Sequence, residues 1–115
     1  MVKNALAGVA VRNLSAAETY YSHLLGRAPD FKPMPELIEW KFPDGGVLQV
    51  YLDKEGKRSG NCSISLVVDD LSSERNRLDQ AGQAIHSPIT DIWIVQDPEG
   101  NQVVLTQPRS EKTAR

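Results

Sequence analysis

Short apolar stretches alternate with polar ones along the first half of the chain, and their spacing predicts a strand followed by a helix. The stretch ALAGVAV (5–11) is apolar and bounded by polar residues, which is typical of a strand. The stretch AAETYYSHLL (16–25) predicts a helix, with an N-cap at Asn13 or Ser15. Gly26 directly follows it and can adopt the left-handed conformation that ends a helix.

The next segment favours extended structure. Pro29 and Pro33 exclude a helix and leave room for a weak strand. LIEWKF (37–42) alternates apolar and polar residues, and GVLQVYL (46–52) follows the turn FPDGG. Two such stretches joined by a turn rich in Pro, Asp and Gly predict a hairpin.

The second half repeats this order of elements. A strand is predicted for CSISLVV (62–68), and a helix begins at Asp70 or Ser72 and ends at Gly82. A weak strand and a closing hairpin follow at QAIHS (83–87), DIWIVQ (91–96) and NQVVLTQ (101–107).

Three landmarks recur in the same order and predict an internal duplication. VRNLS (11–15) returns as VDDLS (68–72), the helix-ending Gly26 returns as Gly82, and the turn FPDGG returns as DPEGN, at offsets of 57, 56 and 55 residues. We expect a single domain over 1–115, built from repeats at 3–53 and 60–107. The predicted fold class is α+β: two βαβββ units whose strands form a curved, mostly antiparallel sheet, with one helix on one face of each unit.

Composition limits the classes of function. The chain has 115 residues, 40% of them hydrophobic and 24% charged, and a formal charge of −2. These values are ordinary for a globular domain and give no reason to expect nucleic acid or an anionic membrane as a partner. The single cysteine, Cys62, rules out an intramolecular disulfide. With no convincing signal peptide or membrane span in the sequence, we expect a cytoplasmic protein.

Two motifs carry a resemblance to a known superfamily. VAVRNLSAAETYYSHLLG (9–26) resembles the opening motif of the glyoxalase, bleomycin-resistance and extradiol-dioxygenase superfamily, also called the vicinal oxygen chelate fold, and DPEGNQVVL (97–105) resembles its closing hairpin. The resemblance spans roughly residues 4–107. It implies that the open faces of the sheet form a trough, and that two chains commonly pair to close it. The fold hosts many reactions, so it does not specify one.

The resemblance also implies where a metal would bind. Well-known members hold a divalent metal with one His, Glu or Gln from the first and last strand of each unit. The matching positions here are Leu6, Gln49, Ser63 and Val104. Leu and Val have no donor atom, and a neutral serine hydroxyl is a poor ligand for a transition metal. Moving the register by one residue in either direction gives no better set, so no metal and no cofactor are expected.

Strand alternation predicts which side chains line the trough. On the trough face we expect Leu6, Gly8, Ala10, Val47, Gln49, Tyr51, Ser63, Ser65, Val67, Gln102, Val104 and Thr106. On the face covered by the helices we expect Val9, Val11, Leu48, Val50, Leu52, Ile64, Leu66, Val68, Val103 and Leu105. The second set is uniformly apolar, as a buried face requires, whereas the first is mixed and contains small residues.

Aromatic residues are the remaining candidates for ligand contact. A loop with an even number of residues at FPDGG would pair Trp40 with Gln49 and place Trp40 in the trough, with Trp93 near it in the second unit. Either indole is equally well interpreted as a core or interface residue. Tyr51 is a candidate for hydrogen bonding to a ligand or for a structural role. Glu39 and Lys41 are interpreted as the solvated side of their strand.

Two functions follow from these residues, and a third stays open. The first is a metal-independent protein that binds a small, partly planar organic molecule through Trp40, Gln49, Tyr51, Ser63 and Trp93. The alternative is an enzyme of lyase or dioxygenase type with a metal-independent or unusual-metal mechanism, whose catalytic residues the sequence does not identify. The third is an interaction or regulatory subunit without a ligand. A homodimer is expected in each case.

Overall fold

The computed structural model describes residues 1–108, and within them the elements follow the predicted order. In chain order they are β1 (Leu6–Val11), α1 (Leu14–Leu25), β2 (Phe31–Met34), β3 (Leu37–Lys41), β4 (Val47–Leu52), β5 (Ser63–Val67), α2 (Leu71–Leu78), β6 (Gln83–His86), β7 (Thr90–Gln96) and β8 (Gln102–Pro108). None of the helices in this part of the chain is long and apolar enough to cross a membrane.

The strands form two four-stranded sheets with equivalent topology. Sheet A has the order β1-β4-β3-β2 and sheet B the order β5-β8-β7-β6. In each sheet the first strand is parallel to the last, and the other pairings are antiparallel. The predicted α+β class with mostly antiparallel βαβββ units is confirmed. The edge strands β1 and β5 lie in contact, but no strand pairing within residues 1–108 joins the two sheets.

The helix ends settle the alternatives that the sequence left open. The side chain of Asn13 caps α1 by accepting from the amide of Ala16, and Gly26 ends that helix with φ 75°. Asp70 caps α2 by accepting from the amide of Ser73. The prediction that Gly82 ends α2 is wrong, because the helix ends at Leu78 and Asp79 supplies the left-handed residue with φ 46°.

The two recurring turns share one geometry. Each is a three-residue loop, Pro43 to Gly45 and Pro98 to Gly100, and the loop glycines have φ of 100° and 91°. Such loops suit a glycine at their last position because of the left-handed backbone. The odd loop length pairs Lys41 with Val47, and therefore Trp40 with Leu48. The expected pairing of Trp40 with Gln49 was wrong because it assumed an even loop.

One apolar core fills the space on the helix-covered side of both sheets. It joins side chains from β1, β3 and β4 with those from β5, β7 and β8, and with the inner residues of α1 and α2. Most side chains predicted for the helix-covered face are buried, and Leu52 and Val68 are half-buried. The opposite face of each sheet is open to solvent or half-buried, with Ala10 as the exception. Alternation therefore identified the two faces of β1, β4, β5 and β8.

Candidate functional site

The open face of sheet A is organised in rows that run across its strands. Residues directly opposite each other on paired strands project to the same face, so the strand register defines the rows. The rows are Leu6, Val47 and Lys41; Gly8, Gln49, Glu39 and Phe31; and Ala10, Tyr51, Leu37 and Met34. The middle row carries a carboxylate and an amide, and mostly apolar side chains lie on both sides of it.

Glu39 and Gln49 form the polar centre of the middle row. The amide nitrogen of Gln49 donates to a carboxylate oxygen of Glu39 over 2.5 Å. Both residues are half-buried. At one end of the row Gly8 has no side chain, and a β-carbon built there would lie 3.6 Å from the ring of Tyr51. The Tyr51 ring therefore lies beside an open patch of backbone next to the polar pair.

The other end of the row is a shallow cavity beneath β2. It has a volume of about 310 Å³ and is lined by Phe31, Lys32, Pro33, Glu39 and Lys41. The ammonium group of Lys41 lies 4.6 Å from the centre of the Phe31 ring, within the range of a cation–π contact. The cavity therefore combines an aromatic wall with charges of both signs.

Ser63 lies on the open face of the other sheet. Its hydroxyl accepts a hydrogen bond from the side-chain amide of Gln102 over 3.2 Å. Within residues 1–108 no hydrogen bond connects Ser63 to Gln49 or Tyr51. Gln49 and Tyr51 are thus neighbours on the face of β4, whereas Ser63 belongs to the adjoining edge strand β5.

Neither tryptophan lies on the open face. Trp40 is fully buried, and its indole nitrogen donates to the carbonyl of Arg27 over 3.0 Å. Trp93 is 2% exposed and belongs to the same core. The prediction that they face the trough is wrong, because the hairpin register places both on the helix-covered side. Neither indole can therefore stack on a ligand in the trough.

The residues at the four positions implied by the superfamily do not fit a metal. Gln49 offers one amide oxygen, Ser63 a neutral hydroxyl, and Leu6 and Val104 nothing. Glu39 adds a carboxylate beside Gln49, but no group of three or more His, Cys, Asp or Glu side chains that could hold a metal occurs within residues 1–108. The histidines lie elsewhere: His23 is exposed on α1, and His86 pairs with Asp91 over 2.9 Å.

A second, larger cavity lies at the N-terminal end of α1. It has a volume of about 610 Å³, and its lining includes Arg12, Asn13, Gly56, Ser59 and Glu99. The carboxylate of Glu99 already accepts hydrogen bonds from the backbone amides of Arg12 and Asn13 over 2.6–2.9 Å. This cavity therefore marks a contact between the two repeats. The Glu99 carboxylate from the second turn already accepts the hydrogen bonds of the two backbone amides that precede α1.

Sequence reasoning missed Glu39 as a site residue. Its alternation with Ile38 and Trp40 assigned it to the solvated side of β3, and the hairpin register, misplaced by one residue, did not put it opposite Gln49. The signal that would have found it is the turn itself: Pro43, Asp44 and Gly45 match a three-residue loop with a left-handed glycine. That loop length puts Glu39 directly opposite Gln49.

Solved structures of other proteins share this fold. No family model matches the sequence, and no curated protein matches it. Among solved structures, a glyoxalase/bleomycin resistance protein from Catenulispora acidiphila superposes with a TM-score of 0.81, at 26% identity over 90% of this chain and 96% of that one. The chain therefore has the fold of the glyoxalase/bleomycin resistance proteins.

Two further solved structures show the same architecture. A lactoylglutathione lyase from Agrobacterium tumefaciens superposes with a TM-score of 0.74, at 17% identity over 91% of this chain and 92% of that one. A bleomycin-binding protein complexed with bleomycin superposes with a TM-score of 0.69, at 18% identity over 92% and 98%. At these identities the likeness concerns the fold. The resemblance predicted from the two sequence motifs is confirmed.

Proposed function

We propose that the protein binds a small, partly planar organic molecule on the open face of sheet A, independently of a metal. Gln49 and Tyr51 contact the ligand, and Ser63 borders the site from the adjoining strand. The observation that carries the proposal is the middle row, where a hydrogen-bonded carboxylate and amide lie between mostly apolar rows on an accessible face. Ligand sites commonly combine apolar walls with a few polar groups that fix orientation.

The geometry gives each residue a distinct role. The ring of Tyr51 supplies an aromatic surface, and the missing side chain of Gly8 leaves space beside it. Gln49 keeps its amide oxygen available to a donor on the ligand. An aromatic contact contributes about 0.5–1.5 kcal/mol beyond area burial, and a polar contact about 1 kcal/mol. Affinity is therefore modest unless a second surface covers the ligand.

We also propose that a second copy of the chain provides that surface, as a homodimer. The open faces expose large apolar side chains on both sheets, among them Leu6 at 52%, Met34 at 58% and Val67 at 74%. Exposed apolar side chains on open sheet faces favour burial against a partner. Sedimentation at micromolar concentration tests this proposal, and a monomer would contradict it. A cytoplasmic location remains a prediction.

Binding is best tested by recording amide chemical shifts in two-dimensional NMR spectra. A panel of small aromatic compounds of different charge is titrated into the protein, and we expect the shifts to cluster on β1, β3 and β4. Tryptophan fluorescence is a poor probe here because both indoles are buried. Gln49→Ala should weaken binding several-fold, whereas Gln96→Ala, an exposed glutamine on sheet B, should not. Shifts scattered over the surface, or equal effects of the two variants, would refute the site.

A further inference from the structure

We infer that the ligand carries a planar cationic group, such as an amidinium, a guanidinium or a protonated amino-heterocycle, and that Glu39 binds it. This inference rests on the proposed function and names the class of ligand for that site. Glu39 has no salt bridge to any residue within 1–108, and its one side-chain hydrogen bond in that range is the one from the neutral amide of Gln49.

The nearby cations are directed elsewhere. Lys41, two residues along β3, lies over the ring of Phe31. Lys32, which lines the same cavity, pairs with Glu18 over 3.0 Å. In sheet B the strand residues that alternate onto the open face are neutral. Glu39 is thus a half-buried carboxylate on an open face, with no cation from residues 1–108 as its salt-bridge partner.

Two acceptor atoms remain free in the middle row. One carboxylate oxygen of Glu39 and the amide oxygen of Gln49 make no hydrogen bond with residues 1–108, and neither atom is buried. A neutral donor group makes only ordinary hydrogen bonds to such a carboxylate, without charge assistance. A planar group with several N–H donors satisfies a carboxylate in a charge-assisted, bidentate geometry and places a further donor toward Gln49.

The aromatic residues around the row support the same class of ligand. Phe31, a residue that is 47% exposed, lies at the β2 end of the row, and Tyr51 lies beside Gly8 at the other end. Planar cations bind to aromatic faces by cation–π attraction, and Lys41 shows that the Phe31 ring already accepts a cation. A ligand cation can therefore bind the carboxylate and an aromatic face at the same time.

Three probes of nearly equal shape test the inference: benzamidine, which is a planar cation, benzamide, which is neutral, and benzoate, which is an anion. Each is titrated into the protein while backbone amide shifts are followed. We expect benzamidine to bind at the middle row with the highest affinity of the three. Glu39→Gln should weaken its binding by about tenfold, because a charge-assisted hydrogen bond becomes a neutral one.

Glu55→Gln is the matched control, since it removes the same charge from an exposed loop residue paired with Lys57. It should leave benzamidine binding unchanged. Equal binding of benzamidine and benzamide at the middle row, or preferred binding of benzoate, would overturn the inference while leaving the proposed function intact. Equal weakening by Glu39→Gln and Glu55→Gln would reduce the effect to long-range charge and also overturn it. If neither the three probes nor any aromatic compound in the panel binds, both the inference and the proposed function are refuted.

Discussion

The hydroxyl of Tyr21 donates a hydrogen bond to the carboxylate of Asp97 over 2.8 Å, and this contact joins the first helix to the last hairpin turn. Tyr21 is fully buried and Asp97 is 5% exposed. The same carboxylate accepts from the amides of Glu99 and Asn101 and from the side chain of Asn101. Asp97 therefore shapes its own turn and holds it against the first repeat.

Tyr21→Phe tests the strength of this contact. The substitution removes one hydroxyl and leaves a buried carboxylate oxygen with one donor fewer, so we expect a loss of about 1–3 kcal/mol in the free energy of unfolding. Urea denaturation measures it. Tyr51→Phe removes a hydroxyl that has no hydrogen-bond partner within residues 1–108 and should change stability much less. Equal losses in the two variants would show that the Asp97 contact does not stabilise the fold.

The same pair predicts a dependence of stability on alkaline pH. Burial, and then the charge of Asp97, raise the pKa of Tyr21 above its ordinary value of 10.0. Above that value the unfolded chain releases the phenolic proton while the folded chain retains it, so stability falls as pH rises. Each pH unit costs about 1.4 kcal/mol for one such proton. Urea midpoints measured on either side of pH 10 should fall less steeply in Tyr21→Phe, and parallel curves would contradict the assignment.

Asn101 connects the repeats from the other end of the turn. Its amide nitrogen donates to the carbonyl of Ala10 over 2.9 Å, and its oxygen accepts from the amides of Gly60 and Cys62 over 2.8 and 3.0 Å. The side chain is fully buried. It thus connects β1 to the segment that leads into β5, two strands that are in contact but not paired in the described part of the chain.

Asn101→Asp should therefore be severely destabilising. The change keeps the shape of the side chain but replaces a donor with an acceptor next to Asp97 and the Ala10 carbonyl. An unpaired buried charge of this kind costs about 3 kcal/mol or more. The matched control is Asn61→Asp, since Asn61 is exposed and its side chain donates only a long hydrogen bond of 3.5 Å. Thermal unfolding compares the two, and similar melting temperatures would contradict this account of the network.

The sequence predicted the order of the elements and the faces of most strands because both follow from local patterns. Alternation placed Leu48 and Val50 inside, and the left-handed Gly26 ended α1 as expected. The sequence did not predict which of the two recurring turns would be buried. At the position of Asn101 the first repeat has Gly46, and only the packing of one repeat against the other gives the asparagine four partners. The prediction for the tryptophans failed for a different reason. A change of one residue in the length of a hairpin loop moves every side chain of the strand to the opposite face.

The donor set of the open face predicts weak metal binding. Protein dialysed against zinc, nickel or manganese and then passed through a desalting column should retain well under one equivalent, because Leu6 and Val104 lack donor atoms. Elemental analysis measures the retained metal. Gln49→Leu should not change the result. One retained equivalent that is lost in Gln49→Leu would show that Gln49, with Glu39 or Ser63, holds a metal after all.

Gly82 does not end α2, as its sequence position suggested, but lies against the core beside Trp93. A β-carbon built at Gly82 would lie 2.1 Å from the indole nitrogen of Trp93 and 2.7 Å from the carbonyl oxygen of Ile94. The glycine therefore allows β6 to approach β7. Gly82→Ala should cost about 1–3 kcal/mol, because Trp93 belongs to the core and has little room to move. At Gly46 the added carbon would only make an ordinary 3.7 Å contact with Phe42, so Gly46→Ala is the matched control. Urea unfolding followed by indole fluorescence measures both variants, and an unchanged Gly82→Ala midpoint would mean that the β6–β7 hairpin adjusts freely around Trp93.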